Sequence, residues 1–252
     1  MQRDDRIEYS RRRDYNERSC SADAFIVQLL NHHIGRVLDT YASPAPANGR
    51  CLDVGCGEQP LRQPIESLGY TYVGLDVMQN QGRNVDFVCA IDGPLPAELA
   101  RPFDFVICTE VLEHVADWQA AFDNLRELTA PGSRVLITCP FFYPLHEEPH
   151  DFWRATPYAL EYAANRAGFR IVEQTSAGDA WDALTGLLGH FGLAAGDARL
   201  TTRMLLFVAK AFRRLLFLLL RTRLLQRRLR VRTPLYVSNI LVLERPPVAI
   251  RP

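Results

Sequence analysis

The sequence has no net charge and almost no lysine. Its 252 residues carry 29 basic and 29 acidic side chains, and Lys210 is the only lysine among the basic ones. A neutral chain offers no global electrostatic argument for a nucleic-acid partner. Apolar residues make up 48% and charged residues 23%, close to the average globular protein, so wholesale disorder is excluded.

Long apolar runs are also missing. No run reaches the roughly 18 apolar residues that a membrane-spanning helix needs. Residues 1–20 are rich in Arg, Asp and Glu and contain no apolar stretch, unlike a signal peptide. The six cysteines are isolated, and five lie in or beside apolar runs that predict buried strands. We therefore expect core thiols rather than disulfides, and a reducing, cytoplasmic location.

Short apolar runs alternate with helical patterns along most of the chain, which indicates βαβ units. The expected fold is α/β: a Rossmann-like, seven-stranded, mostly parallel sheet with helices on both faces. One amphipathic helix, residues 22–41, is expected before this core. The predicted strands are 50–54, 71–76, 85–89, 103–108, 133–139, 169–174 and 236–243, and the predicted core helices are 59–69, 117–130 and 157–168.

The same patterns predict four segments. The first, residues 1–44, is a charged stretch followed by the amphipathic helix, and the core follows at residues 45–176. Residues 177–234 are expected to form a basic amphipathic helical insertion before the last strand. Residues 235–252 contain that strand and a C-terminal tail.

A glycine turn (residues 52–57) lies between the first predicted strand and the next helix. Gly55 and Gly57 suit a tight turn that approaches a ligand closely, although tight packing alone would also need glycine. Asp76 ends the next strand, where nucleotide-binding folds place an acid that accepts hydrogen bonds from ribose hydroxyls. Asp92, after the third strand, is in a position to accept from an adenine amino group. For both acids, the alternative is a turn-forming aspartate.

Five motifs in this order resemble class I methyltransferases that use S-adenosylmethionine and act on small molecules. The resemblance covers about residues 50–176 and differs from nicotinamide enzymes, which would show G-x-G-x-x-G. The motifs are Leu52-Asp53-Val54-Gly55-Cys56-Gly57, Gly74-Leu75-Asp76-Val77, Phe103-Asp104-Phe105-Val106-Ile107, Glu110-Val111-Leu112-Glu113-His114-Val115 and Pro131-Gly132.

The resemblance implies a role for each matched residue. Asp53 orients the glycine turn, Gly55 and Gly57 admit the methionine part of the cofactor, and Asp76 holds the ribose. His114 lies near the mouth of the site, or else simply packs against the loop. The full cofactor-binding set that we infer is Asp53, Gly55, Cys56, Gly57, Asp76, Val77, Asp92, Thr109, Glu110 and His114.

An aromatic loop (residues 140–154) follows the fifth predicted strand and emerges beside the cofactor edge of the sheet. It resembles the H-x-x-P-x-D-[FY]-[WY]-R segment of methyltransferases associated with polysaccharide and cell-envelope glycan assembly. The matching residues are His146, Pro149, Asp151, Trp153 and Arg154.

Methyl transfer to an alcohol is helped by a base, and His146 or His150 is expected to supply it. Asp151 would orient the histidine or bind a sugar hydroxyl. Arg154 would clamp an acidic group, and Tyr143 or Trp153 would stack on a sugar face. In the alternative, Asp151 caps a turn, Arg154 pairs with it locally, and the aromatic side chains anchor a lid.

A metal site in this loop is not expected. His146, His150 and Asp151 are close in sequence, and histidines four residues apart share a face of a helix. Pro149 argues against a helix there, and no third histidine or cysteine lies nearby in the sequence.

The basic arm (residues 199–232) contains eleven basic and no acidic residues, which leaves 18 basic against 29 acidic residues, a net of −11, elsewhere. Such basic amphipathic segments bind anionic membrane surfaces, where each basic residue contributes about 1 kcal/mol. The alternative is a lid or a dimerisation arm with solvated arginines. Five basic residues recur on one helical stripe: Arg203, Lys210, Arg214, Arg221 and Arg228.

The sequence thus predicts an enzyme that methylates a sugar hydroxyl of a glycan or glycolipid, held peripherally at the inner face of the cell membrane. The second hypothesis is a methyltransferase for a hydrophobic small molecule such as a quinone precursor or polyketide. The third is a non-catalytic, membrane-associated protein that retains the fold. Nucleic-acid methylation is not expected, because no N-P-P-[FY] segment follows the fourth strand.

Overall fold

A single seven-stranded sheet forms the centre of the protein in the computed structural model, which describes residues 22–197, 199–222, 224 and 226–247. The charged residues 1–20 and the end of the C-terminal tail lie outside the described residues. In chain order the strands are β1 (Arg50–Val54), β2 (Thr71–Asp76), β3 (Phe87–Val88), β4 (Phe103–Thr109), β5 (Thr129–Pro140), β6 (Arg170–Ala177) and β7 (Ser238–Glu244).

The spatial order of the strands is β3-β2-β1-β4-β5-β7-β6. All neighbouring pairs are parallel except those of β7, which runs antiparallel to both β5 and β6. This confirms the predicted Rossmann-like, mostly parallel sheet of seven strands. Strand β3 is shorter than predicted, because only Phe87 and Val88 pair with β2 at the edge of the sheet.

Six α-helices accompany the sheet in the described part of the chain, and three of them begin at a side-chain cap: Asp117, Thr156 or Asp179. The side chain of Asp117 accepts from the backbone N–H of Ala120, and that of Thr156 accepts from Ala159, with Pro157 in the first turn. The helices are α1 (Ala22–Val37), continued by a π-helical turn (Leu38–Ala42), α2 (Arg62–Ser67), α3 (Trp118–Glu127), α4 (Pro157–Arg166), α5 (Ala180–His190) and α6 (Leu200–Arg221).

Helices cover both faces of the sheet because the strands are apolar on both sides. In β4, Val106 joins the core that contains Phe122 of α3, whereas Phe105 joins the core that contains Ile65 of α2 and Leu30 of α1. The sheet is therefore the middle of three layers.

Helix α5 joins the last part of the chain to the N-terminal helix. A Cβ atom on Gly186 would lie 3.2 Å from Ile26, and one on Gly189 would lie 2.3 Å from Cβ of Ala22 and 3.0 Å from the ring of Phe217. Close contact between α1, α5 and α6 thus depends on glycine. The segment 177–234, predicted as one basic insertion, contains two helices. The first is α5, which packs on α1, and the second is the basic helix α6.

The carboxyl ends of β1, β2, β4 and β5 lie side by side at one edge of the sheet. The register places Val54 beside both Leu75 and Cys108, and Thr109 beside Thr138. The loops that follow these strands therefore meet in one place, which is where ligands bind in open α/β sheets.

Candidate active site

The glycine turn bends sharply at the end of β1. Gly55 and Gly57 have φ angles of +70° and +50°, a region that side chains with a Cβ rarely adopt. The backbone N–H groups of Gly55 and Cys56 both donate to the carbonyl of Leu75, at 2.8 and 3.1 Å. A Cβ atom on Gly55 would lie 2.3 Å from Cγ2 of Val111, so the loop after β4 presses directly on the turn.

Two buried aspartates support the turn. Asp53 accepts a hydrogen bond from the hydroxyl of Tyr72 at 2.6 Å, and burial and this carboxylate together raise the pKa of Tyr72. Asp76 accepts from the N–H of Gly57 at 2.9 Å through Oδ2 and from that of Met78 at 3.3 Å through Oδ1. These two bonds place the carboxylate of Asp76 beside the glycine turn, which is where the resemblance puts the ribose of the cofactor.

Glu110 is held in a strained conformation just after β4. Its φ angle is +53°, and its N–H donates to the carbonyl of Thr138 at 3.0 Å. Its Oε1 atom accepts from the hydroxyl of Ser238 at 2.7 Å, and burial raises the pKa of its carboxyl. Strain of this kind often marks a functional site. Thr109, predicted with it, ends β4 in register with Thr138.

Three other residues of the predicted cofactor set have different environments. Cys56 is buried beneath the turn, where its sulfur would lie 2.9 Å from a Cβ atom on Gly74, so only its backbone is available to a cofactor. Val77 is exposed at the end of β2. Asp92 accepts weakly, at 3.4 Å, from the N–H of Asp117 at the start of α3. Contact of these residues with an adenosyl group stays a prediction.

The aromatic loop folds over the segment that follows β4. The N–H groups of Phe152 and Trp153 donate to the carbonyl of Glu113, at 2.8 and 3.2 Å. Nδ1 of His114 lies 2.8 Å from the carbonyl oxygen of His150. The rings of His114 and His146 are 4.7 Å apart, edge to face. The structure thus brings together the predicted residues of the loop and the predicted His114.

Arg154 and Asp151 bind each other within the loop. Arg154 donates to both oxygens of Asp151, at 2.6 and 2.8 Å, and to three backbone carbonyls, those of Tyr143, Pro144 and Trp153. These five bonds equal the number of N–H groups of arginine. Burial opposes ionisation of Asp151, but the bonds and charge of Arg154, together with the bond from the backbone N–H of His146, outweigh it and lower the pKa of the carboxyl. Arg154 therefore forms the local ion pair of the alternative, which braces the loop, and its contact with an acidic group of a substrate stays a prediction.

The two predicted stacking residues have partners of their own. Tyr143 donates to Asp23 of α1 at 2.9 Å, and its ring lies edge to face with that of His146. The indole N–H of Trp153 donates to the carbonyl of Val115 at 2.9 Å, while the side chain is 46% exposed. Trp153 thus presents an anchored aromatic surface to solvent. Stacking on a substrate stays a prediction for both.

The predicted bases differ in their surroundings. Burial and the neighbouring His114 lower the pKa of His146, so its imidazole is neutral at physiological pH. Nδ1 of His146 lies 3.4 Å from Asp151, which also accepts from the backbone N–H of His146 at 2.9 Å. The ring of His150 instead packs near Phe152. Of the two histidines, His146 is the one whose ring lies against that of His114.

Glu113 is a site residue that the sequence showed only as part of a motif. Its side chain is completely buried, and neither carboxylate oxygen has a hydrogen-bond partner among the described residues. Burial and the nearby Glu110 raise the pKa of its carboxyl well above the usual range. Its Oε1 atom lies 3.7 Å from Nε2 of His114 and 3.9 Å from Nε2 of His146. The only sequence signal was the adjacency of Glu113 and His114.

Comparison with curated proteins gives partial matches. A ubiquinone biosynthesis O-methyltransferase of Caulobacter sp. (strain K31) is 34% identical over 99 residues, covering 35% of this chain and 39% of that protein. A protein of the same name from Xylella fastidiosa (strain 9a5c) is 32% identical over 113 residues, covering 40% and 46%. The chain thus spans less than half the length of these relatives.

Solved structures share the fold at low sequence identity. An S-adenosylmethionine-dependent methyltransferase from Archaeoglobus fulgidus has a TM-score of 0.51 and 17% identity, covering 84% of this chain and 93% of that chain. Phosphoethanolamine N-methyltransferase 2 of Haemonchus contortus, in complex with S-adenosyl-L-methionine, has a TM-score of 0.51 and 18% identity, covering 88% and 53%. At such identities the likeness shows the fold alone.

A family model described as a methyltransferase domain matches residues 28–174, more than half of the chain. The matched region contains the glycine turn, both supporting aspartates and the aromatic loop. The positive φ angles of the turn and the carboxylate of Asp76 beside it fit the cofactor of these enzymes. The chain belongs to the class I S-adenosylmethionine-dependent methyltransferase family.

Proposed function

We propose that this protein transfers the methyl group of S-adenosylmethionine to a hydroxyl oxygen of a hydrophobic small molecule, of the class of quinone precursors. The observation that carries this proposal is the internal pairing of Asp151 with Arg154, which commits the strongest polar groups of the aromatic loop to the loop itself. Phe152 and Trp153 are left exposed. An aromatic surface of this kind suits an apolar acceptor. The names of the curated relatives support the same class.

In this proposal the glycine turn and Asp76 hold the cofactor, and Asp53 keeps the turn in place. When bound, S-adenosylmethionine supplies a methyl group on a sulfonium ion. The acceptor oxygen approaches that carbon in line as the carbon–sulfur bond breaks, so the protein must position both partners and take up the hydroxyl proton. We assign proton removal to the cluster of Glu113, His114 and His146, with Asp151 as a positioning residue for His146.

A glycan or glycolipid acceptor is the second candidate. It is favoured by the exposed, anchored indole of Trp153, which would stack on a sugar ring. Arg154 no longer supports it, because its donors are used within the loop. The hydrophobic acceptor is therefore the better supported of the two.

We also infer that the basic arm contacts an anionic membrane surface. Helix α6 buries Phe217 and Leu220 against the protein but exposes several large apolar side chains, among them Phe207 and Phe212. Arg203, Lys210, Arg214 and Arg221 form a separate stripe of the helix, as predicted from their spacing of seven, four and seven residues. Among the described residues, no helix is long and apolar enough to cross a membrane. Apolar acceptors dissolved in a bilayer would be within reach of such a protein.

The proposal is tested by methyl transfer from radiolabelled S-adenosylmethionine. Purified protein is incubated with a hydroxylated polyprenyl phenol in one reaction and with fractionated envelope glycans and glycolipids in another. We expect label in the phenol. Label in the glycan fraction alone would establish the second candidate. Binding of the cofactor in calorimetry without transfer to any acceptor would favour a non-catalytic role.

A further inference from the structure

The cluster at the mouth of the site has the composition and spacing of a metal centre. Glu113, His114 and His146 each offer one ligand atom, and these atoms all lie within 4.8 Å of one another. Tetrahedral coordination with bonds of about 2.0–2.1 Å places ligands roughly 3.3 Å apart. The distances of 3.7 and 3.9 Å from Oε1 of Glu113 to the two Nε2 atoms exceed this by only a few tenths of an ångström.

The environment of Glu113 supplies an independent observation. Its carboxylate is completely buried and has no hydrogen-bond donor among the described residues. An ionised carboxylate is strongly disfavoured in such a place unless a cation or a donor compensates it. The imidazoles of His114 and His146, which lie 3.7 and 3.9 Å from this carboxylate, are themselves metal-binding groups. A bound cation would satisfy all three at once.

The second ring nitrogen of each histidine is already engaged. Nδ1 of His114 lies 2.8 Å from the carbonyl oxygen of His150, and Nδ1 of His146 lies 3.3 Å from that of Pro144 and 3.4 Å from Asp151. Nη2 of Arg154 also lies 3.4 Å from Nδ1 of His146, so the contacts of that ring admit either tautomer. The carbonyl contact of His114 places its ring proton on Nδ1, which leaves the lone pair of Nε2 toward Glu113. Histidines that bind metals show this arrangement, in which the other nitrogen donates to a carbonyl or carboxylate.

We propose that Glu113, His114 and His146 form a binding site for a divalent first-row transition cation such as Zn²⁺, Mn²⁺ or Co²⁺. Two imidazoles and one carboxylate are the donor set that these ions share. Oε2 of Glu147 lies 3.8 Å from Nε2 of His114 and is the nearest candidate for a fourth ligand. The sequence did not suggest this set, because 32 residues separate His114 from His146 and only the folded loop joins them.

The inference rests on the proposed function for its catalytic meaning. A divalent cation beside the acceptor would act as a Lewis acid and lower the pKa of the hydroxyl to be methylated. The cluster would then assist proton removal through the cation it holds, and the hydroxyl proton would leave to solvent water, because the Nε2 lone pairs of His114 and His146 would be bound to the metal. Cation binding itself is a property of the folded chain and is measurable without any methyl acceptor.

The test uses the full chain, purified without a histidine tag and stripped of metals by a chelator. Co²⁺ is added while its visible absorption is recorded, and Zn²⁺ binding is measured by calorimetry. We expect one cation per chain and at least tenfold weaker binding in Glu113→Gln and in His146→Gln. His150→Gln is the matched control, because the ring of that loop histidine lies outside the cluster, and its binding should equal that of the parent chain.

Three results would overturn the inference. They are no cation binding by the parent chain, equal binding by all three variants, and weakening by His150→Gln as large as that by Glu113→Gln. Thermal unfolding of each metal-free variant shows whether it folds, and Glu113→Gln keeps the shape of the side chain if His146→Gln does not fold. Cation binding without methyl transfer would leave the site standing and contradict the proposed function. Methyl transfer by a chain that binds no cation would contradict the cation site and leave the proposed function standing.

Discussion

Arg154 and Asp151 form a two-pronged ion pair, with 2.6 Å from Nη1 to Oδ1 and 2.8 Å from Nη2 to Oδ2. The side chain of Asp151 is almost completely buried, and Arg154 also ties together three carbonyls of the aromatic loop. The pair therefore braces the loop internally, while the backbone N–H groups of Phe152 and Trp153 attach the loop to the carbonyl of Glu113. This structural role of the ion pair does not depend on which molecule accepts the methyl group.

We expect Arg154→Met to destabilise the protein by about 3 kcal/mol, because it leaves a buried carboxylate without its partner. The measurement is urea unfolding at neutral pH. The double variant Asp151→Asn, Arg154→Met removes the unpaired charge and should recover part of the loss, as a double-mutant cycle would show. The cycle also requires the single variant Asp151→Asn. If both single variants and the double variant were as stable as the parent, the ion pair between Asp151 and Arg154 would not contribute to stability.

Gly55→Ala should impair both folding and cofactor binding. The positive φ angle costs about 1–2 kcal/mol for a residue with a Cβ atom, and the added atom would meet Val111 at 2.3 Å. Gly132→Ala is the matched control, since Gly132 also has a positive φ angle but nothing lies within 4 Å of the position that its Cβ atom would take. We expect a larger loss of unfolding free energy for Gly55→Ala and weaker binding of S-adenosylmethionine in that variant alone. Adding Val111→Ala should restore part of the stability.

Asp76→Asn should weaken binding of S-adenosylmethionine by about 10- to 100-fold, as expected for the loss of hydrogen bonds to a charged acceptor of about 1.5–3 kcal/mol. Calorimetry measures this directly. Asp104→Asn is the control, because Asp104 also accepts a backbone N–H, that of Arg50, but at the opposite end of β1. Equal affinities in the two variants would remove Asp76 from the cofactor site.

The central strands were predictable because local sequence determines them. The bounds of β1 and β2 match the prediction, and β4 differs by one residue at Thr109. The edge strand β3 does not match, because its length depends on pairing with β2 rather than on its own sequence. Helix α5 was absorbed into the predicted insertion, although Asp179 and Asp182 form a capping box at its start.

The cofactor half of the site was accessible from the sequence because it consists of motifs with fixed spacing. Gly55, Gly57 and Asp76 meet through one strand–turn–helix–strand unit. The acceptor half was not accessible in the same way. The local pairing of Arg154 with Asp151 was one of the two readings that the loop sequence offered, and only the folded loop decides between them. The burial of Glu113 follows from the path of the aromatic loop and is not encoded in a short window of residues.

Stability at acidic pH should depend on Glu173 of β6. Hydrogen bonds from Arg36 outweigh burial and, with a bond from Tyr41, lower the pKa of this carboxyl in the folded chain. A lowered folded-state pKa contributes stability that is present above the unfolded value of about 4.3 and is lost as the pH falls through the folded value. Glu173→Gln should therefore be about 1 kcal/mol less stable than the parent at pH 7.

Urea unfolding of the parent and of Glu173→Gln from about pH 7 down to about pH 2.5 tests this dependence. The difference in unfolding free energy should shrink below about pH 4 and disappear once the parental carboxylate is protonated. Glu161→Gln on α4 is the control, since no ion pair is found for Glu161 in the described part of the chain. A difference between parent and Glu173→Gln that stays constant with pH would assign the effect to packing instead of charge.

Helix α6 offers the sharpest test of membrane contact. Phe207 and Phe212 are 74% and 66% exposed, so the double variant Phe207→Glu, Phe212→Glu should fold normally. The parent should sediment with vesicles that contain anionic lipid, and less so at high salt, since each basic residue near the surface contributes about 1 kcal/mol. The variant should bind at least tenfold more weakly, because it loses two aromatic groups and adds two negative charges.

The matched control is Tyr158→Glu, Tyr162→Glu on α4, where the side chains are 77% and 66% exposed and lie outside the basic arm. This variant should bind vesicles as the parent does, so charge alone would not explain the loss in α6. A different outcome would contradict membrane contact. The parent would fail to bind vesicles and would sediment as a homodimer, and the Phe207→Glu, Phe212→Glu variant would sediment as a monomer. That result would assign the exposed apolar side chains of α6 to a contact between two copies of the chain, because large exposed apolar patches mark interaction sites.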